Sequence, residues 1–245
     1  MTRCVITPQQ VQGTTIRIDD PRHVHHLVNV LRLKAGDSLI CCDGQGREYT
    51  GTILRNTPRV LTVQIEAQRT VMSAAPRLWL AQGLPKADRF EWIVQKATEL
   101  GVERISPLLT ARTVVRPSAE QGARKCLRWQ RIAEAAATQC RHAEIPRIDP
   151  PQPFEAWLAS VPEHWFLLVP TLETATTPLK SALEQKTQSG EIALIIGPEG
   201  DLTREEVDAA RAKGASPVSL GPLTLRAETA AIATLAILHY ALDWS

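Results

Sequence analysis

The pattern of apolar and polar residues changes partway along this chain of 245 residues. Up to about residue 72, short runs that alternate apolar and polar residues are separated by turn residues, which predicts a small barrel of short strands. Apolar residues at helical spacing predict one helix in this part, over Pro21–Leu33. The predicted strands are Arg3–Thr7, Thr14–Ile18, Ser38–Cys42, Arg47–Leu54 and Val60–Ala67.

From Arg77 onward, strand and helix patterns alternate, which predicts an α/β domain whose parallel sheet carries helices on both faces. The predicted strands are Leu78–Ala81, Arg104–Leu108, Trp165–Val169, Ile192–Ile196 and Pro217–Leu220. The predicted helices are Asp88–Leu100, Ala119–Gln139, Phe154–Ala159, Thr203–Ala212 and Glu228–Leu242. Met72–Pro76 is predicted to be a linker, so we expect two domains, residues 1–72 and 77–245.

Two segments near the end of the chain run from an apolar strand into a bend rich in glycine and proline and then into a helix. They are Ile195–Gly200 and Leu220–Ala230, and a capping box formed by Thr203 and Glu206 predicts where the helix after the first bend begins. Such bends expose main-chain groups at the carboxyl edge of a sheet, where open α/β folds bind ligands. Neither bend contains a phosphate-binding glycine motif. The pattern therefore favours an adenosine-type ligand without phosphates, held mostly by main chain.

Charge alone says little about partners, because the formal net charge is +2. Basic residues are nevertheless concentrated within residues 1–35 and again within 104–131, which favours contact with nucleic acid over a scattered, solvated surface. The histidines His23, His25 and His26 lack the spacing of metal ligands and are interpreted as surface or RNA contacts.

The five cysteines show no spacing typical of a metal site, so no metal is expected. Their odd number, with two adjacent, favours reduced thiols in a cytoplasmic protein. The first residues contain no apolar export signal. The apolar run from Ala230 to Leu242 is shorter than the about 20 residues that a membrane span needs, so no membrane partner is expected.

The two bends resemble the cofactor site of the SPOUT class of RNA methyltransferases, and most closely that of the RsmE family. That family methylates N3 of a uridine in bacterial 16S ribosomal RNA. Three further segments are similar to family signatures in the same order, so the resemblance covers almost the whole chain. They are His25–Arg32, Lys86–Val102 and Arg131–Arg141. One residue departs from the pattern, because Asp201 stands where the family usually has glycine. Aspartate tolerates a positive φ better than most residues do.

The resemblance implies a PUA-like RNA-binding barrel over residues 1–72 and a SPOUT methyltransferase domain over 77–245. It also implies a trefoil knot near the C-terminus, which general rules of chain topology would not predict. The implied protein is a homodimer, with the apolar helix Glu228–Leu242 at the interface. Its partner would be 16S ribosomal RNA or the assembled small ribosomal subunit.

The resemblance also implies the site residues. S-adenosyl-L-methionine would bind in a bent conformation, with Gly200 allowing its ribose to approach closely and Glu199 serving both the ligand and the following helix. The cofactor contacts would be Leu172, Ile196, Gly197, Glu199, Gly200, Leu220, Gly221 and Leu225. The RNA contacts would be Arg3, Arg22, Arg32, Arg112, Arg116 and Arg141.

Arg226 is the candidate catalytic residue, because a guanidinium can stabilise negative charge that spreads onto O2 and O4 of the uracil. Glu228 is a possible general base, although a carboxylate near a helix start has a simpler explanation. Two alternatives stay open: a SPOUT enzyme that methylates tRNA, and a non-catalytic RNA-binding factor of ribosome assembly.

Overall fold

A computed structural model of the protein describes residues 1–71, 77–86, 88–172, 175–184 and 190–242. The predicted linker Met72–Pro76 lies outside these residues. The chain divides into two compact units. The first unit is Met1–Ser73 with Ala137–Ile145, and the second unit is Ala74–Ala136 with Pro146–Ser245. The expected domain boundaries, 1–72 and 77–245, stay a prediction.

The first unit contains a six-stranded mixed sheet. Its strands are β1 (Thr2–Val5), β2 (Val11–Gln12), β3 (Thr15–Ile18), β4 (Ser38–Cys42), β5 (Arg47–Asn56) and β6 (Leu61–Thr70). Their order is β1-β4-β5-β6-β3-β2, with β1 parallel to β4 and the other neighbours antiparallel. No pairing between β1 and β2 closes this sheet within the described part of the chain. Apolar residues such as Ile16, Leu39 and Leu61 form its buried core.

The helical segment of the first unit differs from the predicted single helix over Pro21–Leu33. It consists of α1 (Pro21–His25) followed by one π-helical stretch, His26–Val30. Asp20 starts α1, because its carboxylate accepts the backbone N–H of Arg22 at 2.8 Å. The predicted helix is wrong at its C-terminal end, since Arg32 adopts a positive φ of 55° that an α-helix does not allow.

The second unit contains an eight-stranded sheet in which every recorded pairing of the described strands is parallel. Its strands are β7 (Arg77–Gly83), β8 (Arg104–Leu109), β9 (Arg147–Ile148), β10 (Gln152–Pro153), β11 (Phe166–Pro170), β12 (Thr177–Pro178), β13 (Glu191–Ile196) and β14 (Ser216–Ser219). Their order is β10-β8-β7-β13-β11-β14-β12, and β9 also pairs with β8. The predicted parallel sheet is confirmed. The two-residue strands were not predicted, because two residues carry no periodicity.

Helices cover both faces of this sheet. They are α2 (Arg89–Glu99), α3 (Ala119–Cys140), α4 (Phe154–Ser160), α5 (Leu179–Glu184), α6 (Arg204–Ala212) and α7 (Ala227–Ala241). On one face, Trp79 of β7 packs edge-on against Trp157 of α4, with ring centroids 5.4 Å apart, in a cluster that also contains Val207 of α6. Helix α7 packs against β13 and α2, where Leu100 O contacts the His239 ring.

Candidate functional site

The carboxyl ends of three neighbouring strands of the second unit meet around one cavity. Strand β11 pairs in parallel with both β13 and β14, so the segments that follow these strands emerge at the same edge of the sheet. They line a cavity of about 270 Å³. This volume lies close to the lower end of the range for small-molecule sites, about 300–1,000 Å³. The lining residues are Pro170, Thr171, Leu172, Ile196, Gly197, Pro198, Glu199, Asp201, Leu220, Gly221, Leu223, Thr224, Leu225, Arg226, Ala227 and Ala230.

The first predicted bend forms one wall, directly after β13. A side chain at Gly197 would place its Cβ 2.7 Å from main-chain atoms of both Asp201 and Leu202, so only glycine fits there. The N–H of Asp201 donates to Pro198 O at 2.9 Å and closes the turn. Asp201 has a φ of 62°, the left-handed conformation that a glycine in the family pattern suggested. Aspartate adopts this conformation more readily than most residues do, so the bend keeps its geometry.

Residues of and after β7 support this bend. A Cβ on Gly83 would lie 2.6 Å from Pro198 N, which shows how closely the two main chains approach. The Glu199 carboxylate accepts the N–H of Lys86 at 2.9 Å and the Arg89 guanidinium at 3.1 Å. Glu199 therefore lines the cavity and also anchors the bend. These contacts give a physical reason for the sequence signature that begins at Lys86.

The second predicted bend forms the opposite wall, after β14. Gly221 adopts a φ of 116°, which favours glycine. Within the described residues, the backbone N–H groups of Thr224, Leu225 and Arg226 donate to no protein acceptor. These N–H groups are therefore available to a ligand in the cavity. Leu223, which the sequence did not single out, also lines the cavity and is 75% exposed.

Arg226 is the residue before the first turn of α7, at the edge of the cavity. Its exposed guanidinium makes no hydrogen bond or ion pair with any residue that the structure describes. A pairing of Arg226 with Glu228 is therefore not observed. Glu228 does not line the cavity, and its Oε1 lies 3.9 Å from the Nε of Arg89. Arg226 thus lines the cavity without a side-chain partner among the residues that the structure describes.

The third wall, Pro170–Leu172, was only partly predicted. Leu172 was a predicted contact, and it lines the cavity with 68% of its surface exposed. Thr171 and Asp201 were not predicted as site residues, although Asp201 had been noted as a departure. Thr171 directly follows β11, so the rule that ligands bind beyond strand ends could have identified it.

Gly200 is the one predicted cofactor residue that does not line the cavity. A Cβ added there would lie 3.3 Å from Cβ and Cδ of Arg112. Arg112, a predicted RNA contact, donates from Nη1 to Gly200 O at 2.7 Å and to Leu202 O at 3.2 Å. Through these two hydrogen bonds, Arg112 therefore helps to hold the first bend in place. The contact of Gly200 with a ribose stays a prediction.

Among the RNA candidates of the first unit, Arg3 already forms an ion pair with another residue of that unit. It pairs at 2.5 Å with Glu48, whose side chain is 3% exposed, and Arg69 pairs with the same carboxylate. Burial by itself would raise the pKa of Glu48, but hydrogen bonds from Arg69 and Arg3 hold that pKa below its ordinary value. Removing Arg3 would therefore leave a buried carboxylate with one partner fewer.

The other arginines of the predicted RNA set differ in their freedom. Arg22 pairs with Asp20 at 2.9 Å in the first unit, and Arg116 donates to Thr110 O at 2.6 Å in the second. The side chains of Arg32 and Arg141 make no hydrogen bond or ion pair with the described residues. Both have a positive φ, 55° and 64°.

No set of three metal-binding side chains comes together in the described part of the chain. All five cysteines are free. Burial raises the pKa of the Cys4 thiol to about 12, so this thiol stays protonated at neutral pH. Within the described ranges, no helix has the length and apolar character to cross a membrane.

The parallel sheet and the cavity at its carboxyl edge define an α/β protein with a candidate ligand site beyond the ends of the strands. Residues 73–239 match a family described as an RNA methyltransferase domain, and residues 18–66 match an RNA methyltransferase PUA domain. The chain is 32% identical to ribosomal RNA small subunit methyltransferase E of Bacillus subtilis, over 96% of this chain and 94% of the relative.

Two solved structures share the fold over nearly their whole length. A methyltransferase of Legionella pneumophila, in complex with the cofactor SAM, has a TM-score of 0.87 and 32% identity, covering 98% of both chains. Ribosomal RNA small subunit methyltransferase E of Neisseria gonorrhoeae, bound to S-adenosyl methionine, also has a TM-score of 0.87. It is 27% identical, with coverage of 98% of this chain and 97% of the other. The chain therefore belongs to the RNA methyltransferases and, within them, to the ribosomal RNA small subunit methyltransferase E family.

The contact between Gly200 and Arg112 yields a prediction about stability. We expect Gly200→Val to lower the free energy of unfolding by about 1–3 kcal/mol, because the added side chain overpacks against Arg112. This loss of stability should be smaller in an Arg112→Ala background, since the effects of substitutions at residues in contact are not additive. Urea denaturation of the four proteins of this cycle measures the coupling.

Gly122→Val serves as the control, because a Cβ there would meet Pro151 and not Arg112. Its cost should be the same with and without Arg112→Ala. An equal cost of Gly200→Val in both backgrounds would contradict the contact.

Proposed function

We propose that this protein is an S-adenosylmethionine-dependent methyltransferase that modifies N3 of a uridine in 16S ribosomal RNA of the small subunit. The observation that carries the proposal is the cavity at the ends of β11, β13 and β14, in a chain of this family. Its walls consist of bends rather than of a charged phosphate cradle. The Legionella and Neisseria relatives carry S-adenosylmethionine, which has an adenosine part and no phosphate.

The cavity suits that cofactor. Adenine offers hydrogen-bond acceptors on its ring nitrogens. The backbone N–H groups of residues 224–226, which have no acceptor in the described part of the chain, are donors on the cavity wall. The apolar side chains of Ile196, Leu220 and Leu225 supply surface for the ring. The complete proposed contact set is Leu172, Ile196, Gly197, Glu199, Gly200, Leu220, Gly221 and Leu225.

S-adenosylmethionine, when bound, supplies an activated methyl group, so the remaining tasks fall to the protein. The uracil must be unstacked so that its Watson–Crick edge is accessible. Its N3 must also lose a proton before it becomes a good nucleophile, and the negative charge then spreads onto O2 and O4. Arg226 can stabilise that charge, because its guanidinium stays protonated, presents several donors and has no partner among the described residues.

For RNA docking we propose residues 1–72, as the PUA-like domain, together with the mid-chain arginines Arg112, Arg116 and Arg141. The side chains of Arg32 and Arg141 have no partner among the described residues, which supports a direct contact with phosphates. Arg22 and Arg116 remain exposed although they have protein partners. Arg112 and Arg3 complete the proposed set, and both also hold protein structure.

We further propose the knotted C-terminus, the homodimer and a cytoplasmic location. The knot is supported by the path of the second unit, in which the chain reaches β14 beyond β11 and then returns so that α7 packs on β13 and α2.

The homodimer is supported by exposed apolar side chains. Ile237 of α7 and Trp92 of α2 offer apolar surface to a second copy. Ribosomal RNA as substrate places the enzyme where ribosomes are assembled.

The experiment that tests this function is methyl-group mapping. The purified protein is incubated with methyl-labelled S-adenosylmethionine and with small subunits or 16S RNA from a strain that lacks the gene, and nucleosides are identified by mass spectrometry. We expect label in N3-methyluridine of 16S RNA. Label on a ribose, on a guanine or in added tRNA would contradict the proposed reaction. The absence of label on every RNA would favour a non-catalytic assembly factor.

The proposed role of Arg226 predicts a defect in turnover rather than in folding. Arg226→Ala should lower kcat by about a hundredfold or more, because it removes a donor that acts on charge in the transition state. Arg226→Lys should recover part of this loss, since it keeps the charge and loses the planar fork. Single-turnover methylation and cofactor titration on the same preparations separate chemistry from binding.

Arg204→Ala is the matched control, because Arg204 is an exposed arginine near the start of α6 and does not line the cavity. It should leave kcat unchanged. An Arg226→Ala protein with a lower melting temperature but normal turnover would show that Arg226 has a structural role only.

A further inference from the structure

The carboxylate of Asp201 connects two of the three walls of the cavity, the first bend and the third wall. Its Oδ2 accepts the hydroxyl of Thr171 at 3.0 Å and the backbone N–H of Leu172 at 2.9 Å. Its Oδ1 accepts the N–H of Leu202 at 2.8 Å, within its own bend. One carboxylate thus connects segments that lie about 30 residues apart in the sequence.

The main-chain conformation at Asp201 determines the direction of this carboxylate. The φ of 62° at Asp201 and the bond from its N–H to Pro198 O fix the turn from which the side chain leaves. Glycine would adopt the same backbone conformation but would offer no acceptor. The link to Thr171 and Leu172 therefore depends on the aspartate side chain and not on the shape of the bend.

The main-chain hydrogen bond of Thr171 is weaker than the two bonds to Asp201. The N–H of Thr171 reaches Val218 O at 3.3 Å, a long hydrogen bond. Leu172 is 68% exposed, so packing contributes little to its position. The two bonds to Asp201 are accepted by a charged group and are therefore stronger than neutral ones.

We propose that Asp201 is a positioning residue that holds Thr171 and Leu172 in place to form the cofactor-binding cavity. The inference rests on the proposed function, because it takes S-adenosylmethionine as the ligand. Without the carboxylate, only part of the molecules would present the third wall in its binding position. The apparent affinity then falls in proportion to that part.

The first measurement needs no ligand. Amide hydrogen exchange, followed by NMR, compares Leu172 in the unmodified protein and in Asp201→Gly. This variant should fold, because glycine tolerates the positive φ. We expect exchange at Leu172 to become about tenfold faster or more, because the N–H loses its acceptor. Unchanged exchange would show that Asp201 does not hold the wall and would overturn the proposal.

The second measurement combines calorimetric titration with S-adenosylmethionine, which gives Kd, and a methylation assay, which gives kcat. We expect the Kd of Asp201→Gly to rise about tenfold, and kcat at saturating cofactor to stay near that of the unmodified enzyme. Asp201→Asn keeps one oxygen that can accept from Thr171 and Leu172, so its Kd should rise less than about threefold. A residue that only stabilised the fold would lower the melting temperature without this recovery by asparagine.

Asp37→Gly is the matched control. Asp37 is a loop aspartate of the first unit whose carboxylate accepts the N–H of Lys34 at 2.7 Å. The Asp37→Gly variant loses the same kind of hydrogen bond, but Asp37 does not line the cavity. The Kd of this variant for S-adenosylmethionine should therefore be unchanged.

The two measurements separate the two claims. If the unmodified protein does not bind S-adenosylmethionine, the proposed function fails and the positioning role fails with it, whatever the exchange data show. If the unmodified protein binds and Asp201→Gly binds equally well, the proposed function stands and the role of Asp201 is overturned.

Discussion

The parallel pairing of β11 with both β13 and β14 is the constraint on which the site depends. Three strands that run side by side in one direction bring the segments after them to one edge of the sheet. These segments can then line one cavity, provided that the chains approach closely. Gly197 and Gly83 permit that approach, since a Cβ at either position would collide with main-chain atoms of the first bend.

Side chains from distant parts of the sequence secure these walls. Glu199 receives donors from Lys86 and Arg89, and the Arg112 guanidinium donates to two carbonyls of the first bend. Asp201 connects that bend to the segment after β11. In each case hydrogen bonds of a charged side chain connect the wall to another segment of the chain.

Local pattern was sufficient for much of the fold and for two walls of the site. The strand β4 has the bounds that its apolar pattern predicted, and the capping box at Thr203 is present, with Thr203 Oγ1 accepting the N–H of Glu206. The two glycine-containing bends were identified because glycine and proline mark turns directly in the sequence. The third wall contains no glycine, so only its Leu172 was anticipated, through the family resemblance.

What the sequence could not reveal are the partners of its charged residues. Arg3 is 45 residues from Glu48, and Arg112 is 88 residues from the carbonyl of Gly200. A cluster of arginines predicts RNA contact equally well whether its members are free or already bound to the protein. The end of the helix at Val30 was also missed, because the left-handed φ of Arg32 has no signature in a non-glycine residue.

We propose that the cofactor occupies the cavity at the ends of β11, β13 and β14. The decisive measurement is a crystal structure of the protein grown with S-adenosylmethionine. We expect density for the cofactor between the two bends, with adenine within hydrogen-bond distance of backbone N–H groups of residues 224–226. Density for the cofactor elsewhere on the protein, with this cavity empty, would overturn the proposal.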